Sequence, residues 1–448
     1  ANSGKGKGKG QYPLGMLVKF ADAAAVDWVR EPHWKKDPRP VGEGPYVTAW
    51  IMSPPGESSG GHQNIFRFLS YLEAAGHRVK IFLYWSQSIP VNADRVRDMI
   101  ERSSNYPNLK ATYALYDPAV GVGDDVDAIF ATGWETAYPA YLDRSRARRF
   151  YFVQDFEPSF YPVGSENQLA ENTYRFGFEA FTAGKWLATK LHDEYGMTTH
   201  PFDFAAEMRL YKRTNDERRS DVFFYARPVT MRRGFELGCM VLADVKKRRP
   251  DIRIHMAGWD VSEWKVPFEY VNHGAMSLEE LSPLYNKCAV ALVMSLTNLS
   301  LLPLELASCG TIPVVNDAPN NRLVSDNPCI DYVPLSPGAM SEEIIRIVDA
   351  PDQVERSREA AASATTLSWE DSGRQFVSDF EGAMNAYHSG GRRKWLPRLS
   401  PRGCAGRAGR HVYPRLRHVR QRGALEGLGS RGLRRELPEQ RRHRARRV

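Results

Sequence analysis

Cysteine is scarce in this sequence of 448 residues, and long apolar runs are absent from it. Its five cysteines are scattered and include no Cys-x-x-C pair, so nothing in their spacing indicates a zinc site or a redox pair. Reduced thiols in a reducing compartment are expected. No run approaches the roughly eighteen apolar residues of a membrane-spanning helix, and the polar opening ANSGKGKGKG is unlike a signal peptide. We therefore expect a cytoplasmic protein, and the inner face of the cell membrane falls within that expectation.

Acidic residues are rare in the C-terminal tail. Residues 391–448 hold 18 Arg and one Lys against three Glu, a net charge of +16, whereas the preceding 390 residues hold 42 basic and 50 acidic side chains, a net charge of −8. The tail also lacks Asp, Ile, Phe, Thr, Met and Asn, and it has no sustained helical or strand period, so it cannot build a core. Two interpretations stay open: a disordered arm that binds nucleic acid or anionic lipid, and the product of a shifted reading frame.

From Tyr46 onward, apolar runs bounded by turn residues alternate with amphipathic stretches. The first run, Tyr46–Met52, is followed by a Gly/Ser-rich loop, an amphipathic stretch over Asn64–Ala75 and a second run over Val79–Tyr84. Later runs of the same kind are Val126–Ala131, Phe150–Val153, Val222–Ala226, Ile252–Ala257, Ala289–Met294 and Ile312–Val315. Strands alternating with helices predict parallel sheets covered on both faces. The charged stretch Lys212–Asp221 separates two such series, which predicts two doubly wound, Rossmann-like α/β domains facing one cleft.

The segment LLPLELASCGTIPVV, residues 301–315, combines a helix start with a buried strand. Pro303 suits the first turn of a helix, Glu305 falls within that turn, and Gly310 ends the helix. A carboxylate at this place can accept hydrogen bonds from the vicinal hydroxyls of a ribose, while the free amides from Ser300 to Leu302 can bind a phosphate. The alternative is that Glu305 only stabilises the helix dipole.

This segment resembles the signature of retaining, family-four glycosyltransferases of the GT-B type, in which two Glu residues precede an Ala, a small residue, a Gly and a Pro-Val strand. Glu305 corresponds to the second Glu, which binds the nucleotide ribose in that family. Thr297, followed by Asn298, stands where the family has its first Glu. Because that Glu normally contacts the transferred sugar, the resemblance leaves the donor open and makes a 6-deoxyhexose such as rhamnose a reasonable expectation.

Three further segments match the same family in the same order. Arg227 and Arg233 follow the strand that begins at Val222, at the positions where the family clamps the diphosphate, and paired guanidiniums suit that group. Gly60 and Gly61 match a Gly-Gly pair that lets the backbone approach the donor. Asp155 lies in the string VQDFEP. This string resembles the corresponding segment of the branch that contains bacterial rhamnosyltransferases of surface-polysaccharide synthesis. There Asp155 would orient the acceptor or act as a base; capping of the next turn is the alternative.

The resemblance implies a site built by both domains. The expected catalytic residues are Asp155, Arg227 and Arg233. The residues expected to bind the nucleotide sugar are Glu305, Gly60, Gly61, Gly258, Ser295, Thr297, Asn298, Ser300 and Leu301. No metal is expected because the arginines balance the diphosphate charge, and no cofactor because the nucleotide sugar is itself a substrate. The implied partners are a nucleotide-sugar donor and a glycan or lipid-linked glycan acceptor, with peripheral membrane association and without specific nucleic acid.

The predicted organisation has five parts. They are a leader or linker without an initiating Met at 1–44, as in a fragment of a longer protein, an acceptor-side domain at 45–211, a nucleotide-sugar-binding domain at 212–365, a helix packing back across the domains at 366–388, and the Arg-rich tail at 389–448. Two other functions stay open: a nucleotide-sugar epimerase of the same fold, which needs no acceptor, and a nucleic-acid-binding protein that acts through its tail.

Overall fold

The computed structural model describes residues 16–57, 59–86 and 90–386. These residues belong to one compact unit. The expectations for residues 1–15 and for the Arg-rich tail lie outside the described residues. Within the described ranges, no helix has the length and apolar character required to cross a membrane.

The first half of the structure is built on a parallel sheet of seven strands. The strands are β1 (Val47–Met52), β2 (Arg78–Leu83), β3 (Thr112–Leu115), β4 (Ala128–Ala131), β5 (Arg148–Val153), β6 (Glu179–Ala183) and β7 (Thr199–Phe202). The helices are α1 (Phe20–Ala25), α2 (His33–Lys36), α3 (Gly60–Ala74), α4 (Ala93–Arg102), α5 (Trp134–Leu142), α6 (Ser165–Thr173) and α7 (Lys185–Tyr195). The strand order is β3-β2-β1-β4-β5-β6-β7. From β1 to β3 the strands are added toward one edge of the sheet and from β4 to β7 toward the other, so the direction of addition reverses between β1 and β4.

The second half repeats this plan with a parallel sheet of six strands. The strands are β8 (Asp221–Tyr225), β9 (Ile254–Ala257), β10 (Val271–Asn272), β11 (Cys288–Val293), β12 (Ile312–Asn316) and β13 (Asp331–Val333). The helices are α8 (Phe235–Arg248), α9 (Leu278–Tyr285), α10 (Leu302–Ser308), α11 (Pro319–Arg322), α12 (Pro337–Asp349) and α13 (Gln353–Ser363). The order β10-β9-β8-β11-β12-β13 reverses between β8 and β11. Such reversal points open the crevices in which doubly wound sheets bind ligands.

The apolar runs of the sequence become the central strands. Every residue of β1, β5 and β11 is buried, as expected for strands covered by helices on both faces. The predicted fold class, two doubly wound α/β domains, is confirmed. One boundary was wrong: the helix expected from Asn64 begins at Gly60, because the Gly-Gly pair forms its first turn instead of a loop.

A final helix, α14 (Trp369–Asn385), follows the second sheet in the chain but packs on the first. Phe376 is 1% exposed, and its ring centroid lies 4.8 Å from that of Phe68 on α3 and 4.7 Å from that of Phe181 on β6. At the end of the helix, Asn385 Oδ1 accepts a hydrogen bond of 2.7 Å from the Tyr46 hydroxyl. The last helix thus completes the core of the first domain.

Replacing Phe376 with Ala should therefore destabilise the first domain. Deletion of a buried aromatic ring costs about 3–5 kcal/mol, because apolar contact is lost and a cavity is left. Urea denaturation, followed by tryptophan fluorescence, measures the change. Arg374→Ala on the same helix is the matched control, because the Arg374 side chain is 72% exposed and should leave the midpoint nearly unchanged.

Candidate functional site

Two loops from opposite domains meet in the cleft between the sheets. Gln154 and Asp155 follow β5 of the first sheet, and residues 294–301 follow β11 of the second. Because both strands are parallel to their neighbours, both loops leave from the carboxyl edges where ligands bind. The residues expected from the sequence to form the site lie along these two edges.

The Asp155 carboxylate joins the two domains. Its Oδ1 accepts hydrogen bonds from the amides of Phe156 (2.8 Å) and Asn298 (2.9 Å), and its Oδ2 accepts one from Thr297 Oγ1 (3.0 Å). Arg232 Nε lies 3.2 Å from Oδ2, an ion pair by distance, but it is not oriented to donate a hydrogen bond. Asp155 is 8% exposed. The contact with Phe156 fits the capping alternative, whereas the other three contacts come from the second domain.

Thr297 and Asn298 are taken up by this interface. They are 3% and 2% exposed, and Asn298 Nδ2 donates to the carbonyls of Gln154 (3.0 Å) and Ala183 (2.9 Å) of the first domain. Their contacts in the structure are with the first domain, and the expectation that both bind the donor sugar stays a prediction. Asn298 Oδ1 is buried without a hydrogen-bond partner among the described residues.

Hydrogen bonds from asparagines and a serine fix the loop at 294–301 within the second domain. Ser295 donates its amide to Asn316 Oδ1 (2.8 Å), and its carbonyl accepts from Asn316 Nδ2 (2.9 Å) and Asn321 Nδ2 (3.2 Å). Asn320 Nδ2 donates to the Thr297 carbonyl. Ser295 is fully buried and supports the loop, and its expected part in binding the nucleotide sugar stays a prediction.

Three arginines cluster after β8. Arg227 and Arg233 are the two predicted from the sequence, and Arg232 is the third. Arg233 Nη1 donates to Ser295 Oγ (2.9 Å), and Arg227 Nη1 donates to the Tyr225 hydroxyl (3.3 Å). Burial lowers the pKa of Arg233, Asp155 opposes that shift, and the nearby charges of Arg232 and Arg227 add to it. With Asp155 as their close counter-charge, the three guanidiniums leave a net positive site that suits a diphosphate.

Glu305 lies in the first turn of α10, as predicted, and Gly310 ends that helix region with φ of +76°. Burial raises the pKa of Glu305 to about 8, and Arg67 on α3 of the first domain partly opposes that shift. Within the described part of the chain, the carboxylate receives no hydrogen bond. A half-buried carboxyl group without a partner is costly to ionise. Its oxygens are available to hydrogen-bond donors from a ligand.

The expected glycines play different parts. Gly258 has φ of +110°, and a Cβ there would lie 2.6 Å from the Tyr225 ring, so only glycine fits at the end of β9. Gly60 and Gly61 have no positive φ and form the exposed start of α3. Gln154 Nε2 donates to the Gly61 carbonyl (3.0 Å), which places this helix start beside Asp155. Ser300 and Leu301 lead into α10, and the Leu301 carbonyl accepts from the amides of Leu304 and Glu305.

The sequence reasoning left several residues of the cleft unassigned. Arg232 was indistinguishable from a basic helix start, although it contacts Asp155. Arg67 is partly buried: its guanidinium lies 3.9 Å from the Trp369 ring centroid, Nη1 donates to Asn64 Oδ1 (3.3 Å), and Nη2 lies 4.0 Å from Glu207 Oε2. Asn64 in turn donates to Gln154 Oε1 (3.3 Å). The available signal was the position of Gln154 directly after a buried strand.

Among residues 16–57, 59–86 and 90–386, no group of three or more His, Cys, Asp or Glu side chains is arranged to hold a metal ion.

Solved structures with the same arrangement are glycosyltransferases of the GT-B type. HepE from Anabaena, solved with UDP and glucose, has 13% identity and a TM-score of 0.57, and the alignment covers 75% of this chain and 100% of that one. WaaG, a glycosyltransferase involved in lipopolysaccharide biosynthesis, has 12% identity and a TM-score of 0.53 with 74% and 99% coverage. At such identities the likeness establishes the fold alone: the chain has the GT-B fold.

Sequence comparison finds a matching family model and a curated relative. Residues 220–345 match the family model for the C-terminal domain of WsaF. The O-antigen biosynthesis protein RfbC of Myxococcus xanthus is 32% identical over 252 residues, which is 54% of this chain and 20% of that protein. The chain thus spans only a fifth of the length of this curated relative.

Stability should depend on pH through Glu305. The folded protein keeps a proton on Glu305 up to about pH 8, whereas the unfolded chain releases it near 4.5, so unfolding becomes easier as pH rises through this window. Glu305→Gln should remove this slope, by on the order of 1 kcal/mol between pH 6 and 8. Urea denaturation at several pH values measures it. An unchanged slope, or an equal loss in the exposed control Glu359→Gln, would contradict the expectation.

Proposed function

We propose that the protein is a glycosyltransferase that moves a sugar from a nucleoside diphosphate to a glycan acceptor. The observation that carries the proposal is that Glu305, whose carboxyl group has no hydrogen-bond donor, lies in the helix that follows β11, and that the arginine cluster follows the adjacent strand β8. Arg227 Nε is buried without a hydrogen-bond partner among the described residues, as a group awaiting an anion would be. Glu305 binds the ribose hydroxyls, and Arg227 and Arg233 bind the diphosphate.

The base and sugar lie along the rest of the second-domain edge. Gly258 admits the nucleotide close to the end of β9, where Trp259 is 38% exposed and within cation–π range of Arg227. Ser300 and Leu301 offer backbone amides to the donor phosphate. The complex of HepE with UDP and glucose supports a donor of this class. A hexose or a 6-deoxyhexose such as rhamnose is the transferred sugar, with Thr297 and Asn298 replacing the usual carboxylate.

The acceptor enters from the first domain, beside Gly60, Gly61 and Asp155. The relation to an O-antigen biosynthesis protein supports a polysaccharide or a lipid-linked glycan as acceptor, handled at the inner face of the cell membrane. Asp155 orients the acceptor hydroxyl, and the departing diphosphate oxygen takes its proton on the face from which it leaves. This gives retention of configuration. Arg227 and Arg233 stabilise the negative charge that develops on the diphosphate, so no metal is required.

Glu305→Ala should weaken nucleotide binding by about tenfold, because it removes the hydrogen bonds of two ribose hydroxyls, and a hydrogen bond between neutral groups is worth roughly 0.5–1.5 kcal/mol. A thermal-shift screen of UDP, dTDP, GDP, ADP and CDP first identifies the nucleotide, and calorimetry then measures its affinity. Arg248→Ala on the exposed face of α8 is the control. Wild-type affinity in Glu305→Ala would exclude the assignment of the ribose site.

Arg233→Ala should lower kcat by about 10²–10³-fold, because it removes a donor from the charge that develops in the transition state. The assay uses the nucleotide sugar chosen by the screen, and NMR of the anomeric proton reports the configuration of the product. We expect retention, and unchanged turnover in EDTA. An inverted product would refute the stereochemical proposal, loss of turnover in EDTA would refute metal independence, and a changed donor sugar without any acceptor would favour the epimerase.

A further inference from the structure

The Asp155 carboxylate has no free position for a substrate. A carboxylate offers about four lone-pair positions, and here they face the amides of Phe156 and Asn298, the Thr297 hydroxyl and the Arg232 guanidinium. An acceptor hydroxyl can therefore reach Asp155 only if one of these groups leaves. The two amides belong to the backbone, and Thr297 lies in a loop that the asparagines hold in place.

Arg232 is the group that is held least firmly. Its Nε faces Oδ2 at 3.2 Å without hydrogen-bond alignment and is buried without another partner among the described residues. Its guanidinium lies 4.1 Å from the ring centroid of Phe160, which is 37% exposed, so the side chain rests on a surface and not in a fitted pocket. The Arg232 side chain itself is 29% exposed. Its rotation breaks one misaligned ion pair and one contact with a partly exposed ring, and no side-chain hydrogen bond from Nε.

The neighbouring charges favour such a movement when an anion arrives. Arg232 lies in the short segment Met231–Arg233 and interacts electrostatically with Arg233. A diphosphate held by Arg227 and Arg233 brings more negative charge than one carboxylate and offers several aligned acceptor oxygens. Bidentate pairing of a guanidinium with phosphate is stronger than a misaligned contact with a carboxylate.

We propose that Arg232 covers Asp155 in the free protein and transfers to the donor diphosphate when the nucleotide binds, which opens Asp155 to the acceptor. The proposal rests on the function proposed above. It makes Arg232 a positioning residue and sets an order of binding: the donor enters first, and the acceptor site is completed by it. Thr297 and Asn298 keep the carboxylate fixed while Arg232 leaves.

A double-mutant cycle with UDP and with dTDP as probes tests the transfer. In the wild type, nucleotide binding must break the Arg232–Asp155 pair. Asp155→Asn removes that competing charge and keeps the size of the side chain, so nucleotide affinity should rise by several-fold. In an Arg232→Gln background the same change should raise affinity less, because only the effect of Asp155 on Arg233 remains. Thr297→Val is the matched control, because it breaks a hydrogen bond to Asp155 without releasing Arg232, and it should give no gain in affinity.

Carboxyl footprinting provides a readout that a purely structural role would not move. Carbodiimide and glycine ethyl ester label accessible carboxylates, and peptide mass spectrometry measures labelling of Asp155 with and without UDP or dTDP. We expect labelling to increase when the nucleotide is bound, and Arg232→Gln to show high labelling in both states.

The outcomes separate this proposal from the one on which it rests. If Asp155→Asn weakens nucleotide binding, or changes it equally in both backgrounds, Arg232 does not transfer, although the nucleotide site stands. Asp155 labelling that is unchanged or reduced by a bound nucleotide overturns the proposal in the same way. If none of the five nucleoside diphosphates in the thermal-shift screen binds the wild type, both proposals fail together.

Discussion

The contact of Asp155 with the loop at 295–298 is the interaction on which the cleft depends. The carboxylate of the first domain accepts hydrogen bonds from an amide and a hydroxyl of the second domain, and all three residues involved are almost completely buried. A buried carboxylate is tolerated only when such donors satisfy it. The same contact therefore holds the two carboxyl edges together. It thereby sets where the arginines and Glu305 lie relative to the first domain.

The central strands of both sheets were predictable because they are buried on both faces, which requires continuous apolar runs such as VTAWIM in β1 and CAVALV in β11. The strands β3, β6, β7, β10 and β13 were not predicted. In β3 three of the four residues are exposed, and both residues of β10 are. Their sequences carry no hydrophobic pattern, and they form strands because a neighbour offers unpaired backbone groups. Tertiary context alone reveals them.

Individual positions of the site followed from local sequence, whereas their contacts did not. Glu305 could be placed because Pro303 and Gly310 mark a helix on either side of it, and Arg227 because it follows a buried strand. No local pattern could predict that Thr297 would bind Asp155, since the two lie 142 residues apart. A sequence motif assigns Thr297 to the sugar side, and the fold joins it to the opposite domain. Arg232 was obscure for the same reason, because its partner lies across the cleft.

The position of α14 bears on how the chain is made. Phe376 and Phe380 belong to a core that, apart from Leu304 and other residues of α14, is built from residues before 210, so this core is incomplete until the last described helix has been synthesised. During translation, the N-terminal sheet leaves the ribosome with an open apolar groove, while the second sheet can close on its own side chains. The domain that is synthesised first is thus the one whose hydrophobic core is completed last. Protection by chaperones would be needed most by this domain.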